Sequence, residues 1–141
     1  MPDGKPVVVN SNGTVSVIAA TPDTFNGVNA VNTDSFYRTA TTFDSNSNRV
    51  VIAYGDGADS NKGKAIVGTV ASGTISFGTP VVFNNAVTGS NINGITATFD
   101  SNSNKVVIAY RDNGNSNYGT AIVGTVDSSD NSISFGSEAV F

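Results

Sequence analysis

The sequence predicts an all-β protein made of two four-stranded antiparallel meander repeats of about 56 residues and an N-terminal β-hairpin. The stretch FDSNSNRVVIAY at 43–54 returns as FDSNSNKVVIAY at 99–110, and residues 43–70 match 99–126 at 21 of 28 positions. Short runs of β-branched and aromatic residues lie between Asn, Asp, Gly and Ser clusters, which is typical of strands and turns. No segment shows the 3.6-residue apolar period of a helix.

The duplication defines the organisation of the chain. After a two-residue insertion the match resumes, with ISFGTPVVF at 75–83 and ISFGSEAVF at 133–141. We therefore divide the chain into a hairpin with its connector at 1–38, a first repeat at 39–94 and a second repeat at 95–141. Periods of this length are typical of solenoids, propellers and repeat arrays.

Each element has its own sequence signal. Residues 6–10 and 14–19 flank Ser11-Asn12-Gly13 and are predicted to form the hairpin. The repeats contain predicted strands A (39–43 and 95–99), B (50–54 and 106–110), C (64–70 and 120–126) and D (74–77 with 81–83, and 132–135 with 139–141). Gly68 and Gly124 inside strand C indicate either a close backbone approach or a bulge.

Strand B is apolar on both faces. Val106 and Ile108 alternate with Val107 and Ala109, and strand C has the same pattern. A sheet with one solvated face would alternate apolar with polar residues instead. We therefore expect each sheet to be covered on both faces.

Two resemblances arise from these motifs. VVIAYRD, GTAIVGTV and ISFGSEAVF resemble successive strands of β-propeller blades of the sialidase-like or lectin-like kind. The Asp-box of sialidase-like propellers (Ser-x-Asp-x-Gly-x-Thr-Trp) is not intact, because the C–D turn reads VASGTISF and the chain has no Trp. The repeats also resemble tandem repeats of virion-associated and environmental microbial proteins, which implies an extracellular or virion-surface location. No secretory signal is visible at the N-terminus.

Composition argues against several classes of function. The net charge is −4 and the pI about 4.4, so phosphate backbones and anionic membranes are poor partners. No apolar run approaches 18 residues, and hence no membrane span is predicted. The chain has no His and no Cys, which excludes triads built on either residue. The acidic residues lie mostly in polar loops, and we expect neither an enzyme nor a required cofactor.

Two blades cannot close a propeller ring. An open pair leaves apolar faces and strand edges in water. We therefore predict that the chain assembles with copies of itself, as a closed ring or an open filament, unless it is a piece of a longer protein. The predicted function is a non-enzymatic structural module of a virion appendage, an extracellular fibre or a surface assembly.

The A–B turns are the candidates for a metal site. DSNSN places side-chain oxygens at every second position, like the front of a calcium loop. The residues are Asp44, Asn46 and Asn48, with Asp100, Asn102 and Asn104 in the second repeat. The alternative is a tight turn in which each Asx side chain bonds its own backbone.

The B–C loops are the candidates for a ligand site. In a meander they emerge beside the D–A connections (84–94, with 31–38 as the counterpart), and Asn/Asp groups beside an aromatic ring are typical of lectin sites. The candidate residues are Asp56, Asp59 and Asn61, then Asp112, Asn115, Asn117 and Tyr118. A lectin-like glycan-binding module is thus the alternative function, and solvated loops are the alternative interpretation of these residues.

Overall fold

The protein folds into a small hairpin and two larger antiparallel sheets. The computed structural model describes residues 7–9, 11–17, 36–85 and 92–141, and these residues contain strands and turns but no helix. Accordingly, no helix in the described segments could span a membrane. The predicted all-β class is confirmed.

The two large sheets have the same strand order. The hairpin pairs β1 (Val7–Val9) with β2 (Val15–Val17). The first repeat comprises β3 (Phe36–Asp44), β4 (Arg49–Asp56), β5 (Lys62–Ala71), β6 (Thr74–Phe77) and β7 (Val81–Asn84); the second comprises β8 (Ile92–Asp100), β9 (Lys105–Asp112), β10 (Tyr118–Asp127), β11 (Ser132–Phe135) and β12 (Ala139–Val140). Each sheet runs A-B-C-D, and both segments of strand D pair with strand C. The predicted meander is confirmed, including its divided last strand.

Strands A, B and C are longer than predicted. Strand β3 begins at Phe36 instead of 39 and β8 at Ile92 instead of 95, because pairing resumes beyond a register shift. Left-handed backbone at Arg38 (φ 54°) and Gly94 (φ 60°) marks these irregularities. Backbone pairing depends on geometry, so it continues into polar residues where the apolar pattern has already ended.

The predicted N-terminal hairpin forms. Val7 pairs with Val17 and Val9 with Val15, while the Asn12 side chain accepts a hydrogen bond from the Thr14 amide at 3.1 Å. The rest of the predicted connector (18–35) and the middle of the second D–A connection (86–91) lie outside the described residues.

Each sheet has two apolar faces, as predicted from strand B. The front face is defined by Val51, Ala53, Ala65 and Val67 in the first repeat and by Val107, Ala109, Ala121 and Val123 in the second. The back face is defined by Val50, Ile52, Tyr54 and Ile66 in the first repeat and by Val106, Ile108, Tyr110 and Ile122 in the second.

The front face of the first repeat packs on the back face of the second. All four front-face residues of the first repeat are fully buried, and they share one core with the four back-face residues of the second. Phe83 crosses the interface, with its ring 5.3 Å from that of Tyr110 and 5.8 Å from that of Phe135. Within one chain, therefore, each sheet has one face covered by the other.

Strand C approaches its neighbours closely at two glycines. A Cβ at Gly68 would lie 2.9 Å from side-chain atoms of Ile75 and Phe77, and one at Gly124 would lie 2.7 Å from Ile133. Pairing continues without a register shift at both positions. Neither glycine therefore lies at a bulge, and the space above each is filled by side chains of strand D.

Polar contacts fix the two sheets relative to each other. Arg49 of the first repeat donates to the Asn131 side chain at 2.6 Å and to the Ser128 carbonyl at 2.7 Å. The Thr69 hydroxyl donates to the same Asn131 oxygen at 2.9 Å. Arg38 of β3 also donates to Asn93 of β8. These first strands of the two repeats form the most extensive contact between the sheets. A charged side chain with several acceptors gives such an interface its register.

Candidate functional site

The A–B turn of the first repeat uses its aspartate to close the turn. One oxygen of Asp44 accepts from the backbone amides of Asn46 and Ser47 at 2.9 and 3.0 Å. Asn48 adopts a left-handed φ of 56°, a conformation that Asn tolerates better than most residues. The contacts therefore favour the turn interpretation of DSNSN.

The A–B turn of the second repeat is built in the same way. Asp100 accepts from the Asn102 amide at 3.0 Å and from the Ser103 hydroxyl at 2.5 Å. These hydrogen bonds lower the pKa of Asp100, with the Ser103 hydroxyl as the largest cause. Asn104 again has φ 56°. In the part of the chain that the structure describes, no three acidic residues group as ligands for a metal ion.

The B–C loop of the first repeat is an ion-pair network. Lys64 lies 2.9 Å from an oxygen of Asp56 and 2.7 Å from one of Asp59, and Lys62 lies 2.8 Å from Asp59. Burial tends to raise the pKa of Asp56, but the hydrogen bond and charge of Lys64, together with the backbone amides of the loop, outweigh burial and lower it. Hydrogen bonds from Lys62 and Lys64 lower the pKa of Asp59. The carboxylates that were predicted to meet a ligand are thus engaged with lysines of their own loop.

The B–C loop of the second repeat has the same backbone but different partners. Asp112 accepts from the amides of Gly114 and Asn115 at 2.8 and 3.3 Å, as Asp56 does from its own loop at 3.0 and 3.2 Å. Thr120 replaces Lys64 and Tyr118 replaces Lys62. The second oxygen of Asp112 accepts instead from Asn84 of the first repeat at 3.1 Å.

A groove of about 480 Å³ opens between the two repeats beside this loop. Its polar lining comes from Asn84, Asn85, Asp112, Asn115 and Glu138. Asn84 donates to both Asp112 and Glu138 at 3.1 Å, and the Tyr110 hydroxyl donates to Glu138 at 2.6 Å. Burial, and then the bond to Glu138, raises the pKa of Tyr110 far above its ordinary value. The groove therefore presents two carboxylates held by neutral donors.

The groove contains only some of the predicted ligand residues. Asp112 and Asn115 line it, whereas Asn117 and Tyr118 do not. Asp56, Asp59 and Asn61 belong to the loop of the first repeat and are also absent from the lining. Sequence reasoning missed Asn84 and Glu138. The sequence does single out Glu138, because the equivalent position of the first repeat is Pro80 and the two repeats therefore differ in charge there.

The front face of the second repeat exposes residues whose counterparts form the core. Val123 is 44% exposed and its counterpart Val67 is 0% exposed. Phe141 is 79% exposed, whereas Phe83 is 5% exposed. The two Phe rings nevertheless sit alike in their own repeats, since a Cβ at Gly119 or Gly63 would lie 2.7 Å from the respective ring.

The back face of the first repeat shows the converse difference. Phe43 and Val70 are 53% and 58% exposed, while their counterparts Phe99 and Val126 pack against the core. Tyr54 is buried under Phe36, with ring centroids 4.6 Å apart. In the described chain, neither of these two faces has the other large sheet packed against it, but the back face of the first repeat is exposed only at its margin, because Ile66 at its centre is 2% exposed.

Comparison with known proteins gives no match. No protein-family model, curated protein or solved structure is significantly similar to the chain. Its function has to be inferred from the faces, loops and groove described above.

Proposed function

We propose that the chain is a non-enzymatic structural module that assembles with copies of itself through the faces and edges of its sheets. Its setting would be a virion appendage, an extracellular fibre or a surface assembly. The repeats would be blades of the β-propeller type. Four-stranded meanders that stack front to back support this assignment, because propeller blades pack in this way.

One observation carries the proposal: front-face residues that are fully buried in the first repeat recur in the second, where three are half-buried and Val123 is 44% exposed. The front face of the second repeat keeps Val107, Ala109, Ala121 and Val123, the residues that form the core in the first repeat. Burying such a face is favourable by roughly 25 cal/mol per Å² of apolar area. A sheet face that is apolar by composition and only partly buried in the single chain is a site for association.

The solution mass tests this proposal. We expect sedimentation velocity to give a mass well above the 14.4 kDa of one chain, and Val123→Glu to return it to 14.4 kDa while the circular dichroism spectrum is unchanged. Ser101→Glu, which adds the same charge in an exposed turn, is the control and should assemble normally. A folded wild-type chain that stays at 14.4 kDa at every concentration would contradict the proposal.

A lectin-like function is the second candidate, and the groove between the repeats favours it. Asn84 is only 5% exposed, and its side-chain oxygen is one of the buried polar atoms without a hydrogen-bond partner in the described chain. Two carboxylates and the Asn115 amide beside it could bind sugar hydroxyls.

A glycan array tests this second candidate directly. Binding should be lost with Asn115→Ala and kept with Asp59→Ala, its counterpart in the first repeat. Wild-type protein that binds no glycan on the array would exclude the candidate.

A further inference from the structure

We propose that copies of the chain associate head to tail, with the front face of the second repeat covered by the back face of the first repeat of the next copy. This inference rests on the proposed self-assembly and specifies which surfaces meet. The interface between copies would join the same kinds of face as the interface between the two repeats of one chain.

The asymmetry of the internal interface is the first argument. It joins a front face to a back face, and not two like faces. In the described part of the chain this leaves one back face, exposed at its margin, on the first repeat, and one front face on the second. Since these two are different surfaces, the contact that pairs them is heterologous, and it continues as a ring or a filament.

The front face of the second repeat has the composition of an interface. Its centre is apolar, with the exposed Val123 and Phe141 beside half-buried alanines. Lys105 and Arg111 lie near the two ends of β9, and so they form a charged rim. An apolar centre with a polar rim is the usual anatomy of a protein interface.

The back face of the first repeat supplies the complementary residues. Phe43 and Val70 stand where Phe99 and Val126 pack against the core of the second repeat. Phe36, 37% exposed, stands where Ile92 is fully buried. A Cβ at Gly63 of the first repeat would lie 2.8 Å from Ile92. By equivalence, Phe36 of the next copy would lie over Gly119.

Phe141 is the expected anchor of the contact. Its counterpart Phe83 packs against Tyr110 and Phe135 of the second sheet. The equivalent residues of the first repeat are Tyr54 and Phe77. Because Phe36 already covers Tyr54, Phe141 would pack against Phe77 and Phe36 of the next copy.

One polar contact of the internal interface has no counterpart between copies. Lys105 replaces Arg49, and its amine donates to Thr125 of its own repeat at 2.8 Å. The C–D turn of the first repeat is two residues shorter, and Gly73 stands in place of Asn131. The contact between copies thus uses the exposed Phe36, Phe43 and Val70. It lacks the Arg49–Asn131 bridge and gains nothing from the already buried Tyr54 and Ile66, so it is weaker than the internal one.

Mixing two variants tests the arrangement. Val123→Glu blocks the front face of the second repeat, and Val70→Glu blocks the back face of the first. Each variant alone should sediment as a 14.4 kDa monomer. An equimolar mixture should form a dimer of two chains and nothing larger, because each variant supplies the face that the other has lost.

The outcomes separate this inference from the proposed function. A wild type that is monomeric contradicts both. A wild type that assembles, together with a Val70→Glu variant that still dimerises or a mixture that stays monomeric, overturns the head-to-tail arrangement alone. Both substituted side chains are exposed, at 44% and 58%. Should either Glu variant fail to fold, the test can be repeated by mixing two other single variants. Phe141→Ser then replaces Val123→Glu, and Phe43→Ser replaces Val70→Glu, at side chains that are also exposed.

A gain of affinity provides the second arm of the test. Lys105→Arg, combined with replacing residues 71–74 by the longer turn 127–132, restores both sides of the missing bridge. Charge-assisted hydrogen bonds of this kind should tighten association about tenfold. Either change alone should have little effect, and an unchanged association with both would contradict the proposed register.

Discussion

Phe83 of the first repeat lies over Gly63, and Phe141 of the second lies over the equivalent Gly119. The two rings are nevertheless 5% and 79% exposed. The difference does not come from the fold of the repeats, which share six of nine residues in the segments 75–83 and 133–141 that end at these rings. It comes from the neighbour that each front face has in space. The second repeat covers the front face of the first, and no described part of the chain covers the front face of the second in the same way. In a repeat protein, the burial of a residue is thus a property of its neighbours.

The largest expected difference in stability is between alanine substitutions of these two phenylalanines. Phe83→Ala should lower the free energy of unfolding by about 3–5 kcal/mol, since it removes a ring from the core between the sheets. Phe141→Ala should change the unfolding of the isolated chain by less than about 1 kcal/mol, because an exposed ring contributes little. Urea denaturation of both variants in the Val123→Glu background, where assembly is blocked, measures this. Equal losses of unfolding free energy for the two variants would contradict the proposed difference between the two front faces.

The two B–C loops should differ in their dependence on charge. Lys64→Met leaves the buried Asp56 without its cation and should cost about 1–3 kcal/mol near pH 7. Lys105→Met, which has no carboxylate partner in its contacts, is the matched control and should cost less than about 0.5 kcal/mol. Urea denaturation at pH 7 makes this measurement. A Lys64→Met variant no less stable than the control would show that the ion pairs do not contribute.

The pH dependence of the same variant can be derived from the pKa directions. The lowered pKa values of Asp56 and Asp59 mean that their stabilisation is present above about pH 4 and is lost as the pH falls through the folded-state pKa. Burial acts to lower the pKa of Lys64, but Asp59 and Asp56 raise it overall. Its stabilisation is therefore present below about pH 10.4 and is lost as the pH rises through the folded-state pKa. Lys64→Met should flatten both limbs of the stability profile.

Substitutions at the equivalent positions Arg49 and Lys105 should give the next largest change in stability. Arg49→Ala removes the hydrogen bonds to Asn131 and Ser128 across the interface and should cost about 1–2 kcal/mol. Arg49→Lys should recover little of this loss, because a lysine cannot reproduce the planar fork of the guanidinium. Lys105→Ala should be nearly neutral. Thermal melts of the three variants check this order, and full recovery by Arg49→Lys would show that charge alone suffices.

The smallest effect should be the same in both repeats. Asn48 and Asn104 have the same left-handed φ of 56° in turns of identical sequence. Replacement of either by Ala should cost about 1 kcal/mol, and replacement by Gly should be close to neutral. Equal values, measured by chemical denaturation, would show that the turns are equivalent. Unequal values would show that assembly changes the stability of even these exposed turns.

Much of the fold could be predicted because it depends on local signals. The alternation of Val106 and Ile108 with Val107 and Ala109 identified the two faces of strand B, and the Asx-rich turns located the ends of the strands. The interval between ISF and VF in strand D predicted its two segments. All three signals lie within about ten residues of the structure that they specify, so no long-range information was needed.

The packing of the two sheets could not be predicted in this way. Val67 and Val123 have the same local sequence, so nothing in it distinguishes the buried residue from the exposed one. The groove likewise depends on the contact of Asn84 with Asp112 and Glu138, residues 28 and 54 positions away. Only the order of the sheets in space brings these residues together.

Hydroxyl-radical footprinting of Phe141, read by mass spectrometry, tests the central claim most directly. At concentrations where the wild-type chain assembles, Phe141 should become as protected as Phe83, and Val123→Glu should restore its reactivity while Phe83 stays protected. Equal reactivity of Phe141 in the assembled wild type and in Val123→Glu would contradict the claim that the second repeat's front face is an interface.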